Sequence, residues 1–294
     1  MVLSAGHAHA VFDAGCQSID AGRSAQVVFG GSRPVTLQVP RGYDASCPAP
    51  LVVVLHGYGS SGQQHQDYFG LTSLVDAQGV LLVAPDGTQD GEGNRFWNSR
   101  TDACCNFGGS TVDDVTYLRE LIREIRVAYN VDPRRIYLVG HSNGGFLAHR
   151  LGCELGKDLA AIVSLAGTTS LKRSDCHARS AVSVLQIHGD RDPGVRYDGG
   201  VDILGKGGGA YAGAVETTAR WAKDDHCKGP LKTGALLDLD SVLPGPETAV
   251  STWGRCPPGV DVTLWTIQGG GHVPTVSQHF PELVWRWLEA HRRR

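Results

Sequence analysis

The run Gly140-His141-Ser142-Asn143-Gly144 constrains this chain more than any other stretch; apolar residues 136–139 precede it, and Phe146, Leu147, Ala148 and Leu151 follow. It reads as a strand that turns sharply into a helix, with a serine at the turn. Glycines on both sides let the strand and helix backbones approach closely, which pushes the Ser142 hydroxyl into the open. The helix aims its unpaired N–H groups and the positive end of its dipole at the space beside that hydroxyl, so an anion forming there is stabilised. A serine that only caps a helix is the competing reading. The strand before it and the helix after it favour a nucleophile elbow.

Composition narrows what surrounds this turn. With 294 residues the chain can bury a full core, and one α/β domain over residues 25–294 is expected, behind an N-terminal segment, 1–24, that a disulfide could order in part. No apolar run reaches the length that crosses a bilayer, and a net charge of −3 provides no basic field for nucleic acid, so neither membrane nor nucleic acid is an expected partner. A monomer is expected. The eight cysteines, Cys16, Cys47, Cys104, Cys105, Cys153, Cys176, Cys227 and Cys256, lack the paired C-x-x-C spacings of a zinc site, and their even number reads as disulfides. Disulfides imply an oxidising compartment, so secretion to the periplasm or the outside is expected. Residues 1–10 carry neither the basic start nor the apolar centre of a signal peptide, as if a leader were already absent.

Buried strands and amphipathic helices alternate along the chain. Residues 26–29 and 35–39 read as an antiparallel edge hairpin, and 50–55, 80–84, 160–167, 182–189 and 260–267 as further strands, most of them buried. Helices are expected from 112 to 129, after the elbow, from 214 to 223 and from 280 to 291. Asp113 and Asp114 read as first-turn carboxylates with no chemistry assigned. This alternation predicts a mostly parallel central sheet with helices on both faces. Residues 228–258 carry no legible element.

Three side chains then fall just past the C-terminal ends of predicted parallel strands, in the order Ser142, Asp192, His272. That is the α/β-hydrolase order of nucleophile, acid and base. His272 would take the serine proton and return it to the leaving group, and Asp192 would hold the imidazole. The backbone N–H groups of Tyr58 and Asn143 would form the oxyanion hole. Asp190 competes with Asp192, and Trp97 is either a platform for an acyl group or an anchor for its loop. His56, His141 and His188 would shape the site.

Taken together, the motifs Val54-Leu55-His56-Gly57-Tyr58-Gly59, Trp97-Asn98, Cys104-Cys105, Val112-Asp113-Asp114-Val115, Gly140-His141-Ser142-Asn143-Gly144-Gly145, His188-Gly189-Asp190-Arg191-Asp192 and Gly269-Gly270-Gly271-His272 resemble the polyhydroxybutyrate depolymerase and feruloyl esterase-like family of secreted α/β-hydrolases. The resemblance covers most of the chain from about residue 25. It implies Ser142, Asp192 and His272 as a triad, disulfides, and no metal or organic cofactor. Two places depart from the family pattern: Val273-Pro274 stands where Trp-Pro is usual, and Val195-Arg196-Tyr197 where Val-Pro-Tyr is usual. Both flank the acyl site, so Val195 and Val273 join Trp97 and His141 as candidate substrate-binding residues. Proximity suggests pairing Cys16 with Cys47 and Cys227 with Cys256; Cys104 and Cys105 are then left for Cys153 and Cys176, with a vicinal Cys104–Cys105 bond as the alternative. The expected function is a secreted serine carboxylic-ester hydrolase. Its expected substrates are hydroxycinnamoyl esters, or polyesters such as polyhydroxyalkanoate and terephthalate-type oligoesters. An acetyl-xylan-type esterase is one alternative, and an idle hydrolase scaffold that binds carbohydrate or protein is another.

Overall fold

In a computed structural model, the structure describes residues 27–99, 103–176, 178, 180–201, 203 and 209–293. Ten strands among these residues form one sheet: β1 (Val27–Phe29), β2 (Val35–Gln38), β3 (Ala49–Leu55), β4 (Leu81–Val83), β5 (Val131–His141), β6 (Ala161–Leu165), β7 (Ser183–Gly189), β8 (Leu231–Leu237), β9 (Thr248–Trp253) and β10 (Val262–Ile267). Their order across the sheet is β1-β2-β4-β3-β5-β6-β7-β10-β9-β8. The six strands from β4 to β10 are mutually parallel, and antiparallel pairs close both edges.

Every residue of β3, β6 and β7 is buried, as a strand covered on both faces requires. One face carries α3 (Asp114–Ala128), α4 (Asn143–Leu155) and α5 (Ala214–Asp224), whose Leu118, Ile122, Ile125, Leu147, Leu151 and Trp221 pack in one cluster. The other carries α1 (Gly62–Phe69), α2 (Ser73–Gln78) and α6 (Phe280–Glu289), through Phe69, Leu74, Val75, Phe280, Val284 and Trp285. The α3 stripe expected from its 3.6-residue period, Val115, Leu118, Leu121, Ile122 and Ile125, is the face it buries.

Besides α1 and α2, which the sequence reading did not include, two features differ from it. The unread stretch 228–258 forms the edge strands β8 and β9; β8 is almost wholly exposed, so it lacks the alternation by which half-buried strands are recognised. Asp113 does cap α3, accepting from the Thr116 N–H at 3.2 Å, but Asp114 turns inward. Its Oδ1 accepts from Arg33 Nη1 at 2.6 Å and its Oδ2 from the Asn98 N–H at 2.7 Å, binding the β1–β2 turn and the loop after Trp97 to α3.

Parallel register brings one end of the sheet together. Leu55 lies opposite Gly140, His141 opposite Leu165, and Ile267 opposite Gly189. The turns after β3, β5, β7 and β10 therefore open on the same edge, where ligands bind in sheets of this type.

Candidate active site

The turn between β5 and α4 is tight. Ser142 takes φ 52° and ψ −118°, a left-handed conformation that costs a side-chain-bearing residue about 1–3 kcal/mol and persists only where surroundings enforce it. The enforcement is visible. The Ser142 N–H donates to the Leu165 carbonyl at 2.8 Å, and its own carbonyl accepts from the Phe146 N–H at 3.0 Å. A Cβ on Gly140 would collide with the Gly144 backbone, and one on Gly144 with the carbonyls of Leu55 and His56. The glycines of the motif are therefore steric requirements of the elbow.

Two other turns converge on the serine. His272 Nε2 lies 2.9 Å from Ser142 Oγ, and His272 Nδ1 lies 2.7 Å from Asp192 Oδ2. The other oxygen of Asp192 accepts from the Gly194 and Val195 N–H groups at 2.7 and 2.9 Å. Burial works against the Asp192 charge, yet the hydrogen bonds from His188 and His272 outweigh it, holding the carboxyl well below the usual carboxylate range. Asp190 does not reach this set. It is exposed and accepts from the Gly269 N–H at 2.6 Å, closing the glycine turn that carries His272.

A second group of rings supports His272 from behind. His141 Nε2 lies 2.9 Å from the His272 carbonyl, and His141 Nδ1 lies 2.9 Å from His65 Nε2. Burial pulls His141 down to about 3 and His65 to about 4, so both rings are neutral near pH 7. The Tyr68 hydroxyl donates to the Pro274 carbonyl at 2.7 Å. Of these, His65 and Tyr68 escape a sequence reading because they lie on α1, far along the chain, and only a period-matched pair of polar positions marks them.

Asn143 opens α4, so its N–H is one of the first-turn donors that a helix leaves without an internal partner. The strand-β3 turn passes close above it: a Cβ on Gly57 would lie 3.5 Å from Ser142 Cβ. Tyr58 is the next residue, and its hydroxyl is tied outward to Asp90 Oδ2 at 2.5 Å. The Asn143 side chain clamps the Trp97 backbone, accepting from its N–H at 2.6 Å and donating to its carbonyl at 2.9 Å.

Three of the four expected substrate-binding residues have no surface to offer. Trp97 is fully buried against His56, which makes it the anchor of its loop and not an acyl platform. His141 is buried and turned to the His272 carbonyl. Val195 is buried in an apolar cluster with Cys104, Cys105, Phe146 and Tyr211. Each was drawn inward because sequence placement at a strand end does not say which side of the loop faces solvent. Val273 alone is exposed, at 62 %.

The cysteines also pair differently from the first expectation. Cys104 bonds to Cys105 and Cys153 to Cys176, so the vicinal alternative holds, and Cys227–Cys256 is as expected. The reason is placement: Cys153 lies on α4 facing the loop after β6, while Cys104 and Cys105 lie over the start of α4, where Asn143 Nδ2 approaches Cys104 Sγ at 3.8 Å. The Cys16 half of the expected Cys16–Cys47 pair lies outside the described residues. Among the described residues no group of three or more His, Cys, Asp or Glu is placed to hold a metal ion, and no helix is long and apolar enough to cross a membrane.

Known proteins are similar to this chain in sequence and fold. The chain is 30 % identical over 244 residues to feruloyl esterase B of Piromyces equi, covering 82 % of this chain and 42 % of that protein. It is 24 % identical over 242 residues to a bifunctional acetylxylan esterase/xylanase of Neocallimastix patriciarum, covering 81 % of this chain and 31 % of that one. It thus spans less than half the length of these two curated relatives. The structure of an acetyl xylan esterase from Aspergillus awamori superposes with a TM-score of 0.64 at 15 % identity, over 93 % of this chain and 98 % of that one, which shows a shared fold. The family described as phospholipase/carboxylesterase matches residues 44–203, more than half of the chain and including the β3 turn, the elbow and Asp192. The chain therefore belongs to the phospholipase/carboxylesterase family, and its fold is that of the α/β-hydrolases.

Proposed function

We propose that the protein is a secreted serine carboxylic-ester hydrolase, one catalytic unit over residues 25–294, that works through Ser142, His272 and Asp192 and a covalent acyl-enzyme. The observation that carries this reading is the unbroken line of contacts from Ser142 Oγ through both nitrogens of His272 to the Asp192 carboxylate, 2.9 and 2.7 Å long. His272 Nε2 takes the hydroxyl proton as Oγ attacks the ester carbonyl carbon. The carbonyl oxygen becomes an oxyanion beside the N–H groups of Asn143 and Tyr58; each such donor is worth roughly 3–4 kcal/mol in the transition state. His272 then passes its proton to the departing alkoxide, which leaves as the alcohol. Water, deprotonated by the same ring, releases the acid and restores Ser142. Asp192 keeps its charge throughout and stabilises the imidazolium.

Hydroxycinnamoyl esters are the proposed substrate class, supported by the likeness to feruloyl esterase B. Val273, exposed next to His272, gives an acyl group an apolar neighbour. Acetylated xylan is the second reading, favoured by the likeness to the acetylxylan esterase/xylanase. Disulfides among the described residues support an oxidising compartment. The test is hydrolysis of methyl ferulate, acetylated xylan and hydroxybutyrate oligomers, with Ser142→Ala as control and labelling by a serine-directed phosphonate. Ser142→Ala is expected to lower kcat at least about 10⁴-fold and to abolish labelling. A variant that keeps its activity refutes the triad, and preference for acetylated xylan refutes the hydroxycinnamoyl reading.

A further inference from the structure

Behind the site runs a row of buried polar groups that ester hydrolysis, as described, does not use. Trp221 of α5 donates from Nε1 to His149 Nδ1 at 2.9 Å. His149 Nε2 lies 2.9 Å from Gln186 Oε1. Gln186 Nε2 lies 2.7 Å from the Gly167 carbonyl and 3.1 Å from His188 Nδ1. His188 Nε2 lies 2.7 Å from the Val195 carbonyl and 3.4 Å from Asp192 Oδ2. Members from Trp221 to Asp192 are at most 4 % exposed.

The row has one possible direction. An indole N–H only donates, so His149 Nδ1 must accept and the single proton of that neutral ring sits on Nε2. Burial lowers His149 to about 4, which keeps it neutral. The Gln186 amide is fixed from two sides, since its oxygen takes the His149 proton and its nitrogen faces a carbonyl that cannot donate. His188 Nδ1 then accepts, and its proton lies on Nε2, between the Val195 carbonyl and the Asp192 carboxylate. The opposite tautomer would set a lone pair against two oxygens in a buried site, where an unmade hydrogen bond is costly.

We propose that Trp221, acting through His149 and Gln186, fixes His188 as an N–H donor and makes it the positioning residue for Asp192. His188 clasps the turn 192–195 from its carbonyl side while the Gly194 and Val195 N–H groups hold Asp192 Oδ1. It also shares the negative charge of Oδ2 with His272. Partners of this kind, one shell behind a working group, set its orientation and basicity. The role rests on the triad reading above.

The other titratable groups facing the His272–Asp192 pair are His141 at the His272 carbonyl, His65 behind it, and Tyr197, whose ring stands edge-on to His188 at 5.8 Å. Asp190 and Asp198 act on Tyr197, whose hydroxyl burial pushes upward. None of these rings changes charge near neutral pH. Removal of the His188 N–H leaves more charge on Oδ2, stabilises the imidazolium of His272, and moves the acid limb of kcat/KM to higher pH.

Nitrogen-15 NMR of histidine-labelled wild-type protein at neutral pH tests the tautomers without any substitution. His149 and His188 are both expected to carry the proton on Nε2 alone; a proton on Nδ1 of either ring overturns the proposal. Kinetics of His188→Gln, whose amide nitrogen falls where Nε2 lies, and His188→Leu tests the role. His188→Leu is expected to lower kcat by about tenfold with KM nearly unchanged and to raise the acid limb by about half a pH unit, while His188→Gln keeps the wild-type limb. Superimposable pH profiles for the two variants overturn it. Should His188→Leu fail to fold, the wild-type tautomers still decide. Retained activity in Ser142→Ala would refute the triad instead, a separate outcome.

Discussion

His272 is gripped from two sides that differ in kind. On one side its carbonyl and the following Pro274 are held by His141 and Tyr68, groups that are neutral and act on the main chain. On the other its ring is held by Asp192, a buried carboxylate fixed by two backbone N–H groups. The first grip sets where the loop runs, and the second sets which way the imidazole faces and which nitrogen carries the proton. A neutral hydrogen bond contributes about 1 kcal/mol net, whereas a buried carboxylate also stabilises a charge that exists only during turnover. The comparison teaches that the side with the charge should dominate rate and the neutral side should dominate stability.

Substitution on the charged side should have the largest effect. Asp192→Asn is expected to lower kcat by about 10⁴-fold with little change in Tm, measured by ester turnover and thermal melting, while Asp190→Asn stays within about threefold. A larger loss at Asp190 would break the assignment. On the neutral side, His141→Leu leaves the His272 carbonyl and His65 without their partner; about 2 kcal/mol of stability and about 10²-fold in kcat should go together. Loss of activity without loss of stability would remove the distinction between the two grips.

The buried neutral rings on both sides should also show in acid. Unfolded histidines take up protons below about pH 6.5, while His141, His65 and His149, buried and lowered to about 3, 4 and 4, refuse them in the folded chain. Stability is therefore full above pH 6.5 and is lost as pH falls toward 4, by up to about 1.4 kcal/mol per pH unit for each ring. Urea midpoints measured from pH 7.5 to 4.5 check the slope, and His149→Gln should flatten it. The smallest effect is Tyr68→Phe, which deletes one hydrogen bond to Pro274: about 1 kcal/mol in stability and a several-fold drop in kcat.

Legibility in the sequence follows the same division. The elbow was readable because its glycines answer a local steric demand, β3 because burial on both faces writes a continuous apolar run, and β6 and β7 because apolar residues still dominate them. Order along the chain then indicated Ser142, Asp192 and His272, since each turn lies at the end of a parallel strand. The exposed edge β8 left no pattern, and Asp114 looked like any first-turn carboxylate although Arg33 and Asn98 draw it inward.

The sequence by itself determined a parallel sheet with helices on both faces, a strained serine turn, and three residues at one sheet edge, because local sterics and apolar periodicity act over a few residues at a time. Tertiary structure alone decided that Trp97, His141 and Val195 face inward, that Cys104 bonds to its neighbour while Cys153 finds Cys176, and that Trp221 is linked to Asp192 through three intervening side chains. Those outcomes depend on which side of a loop meets the core and, for several of them, on contacts between residues far apart in the chain, such as Cys153 with Cys176, 23 residues apart, and Trp221 with His149, 72 residues apart. Only the packed sheet brings such positions within bonding distance.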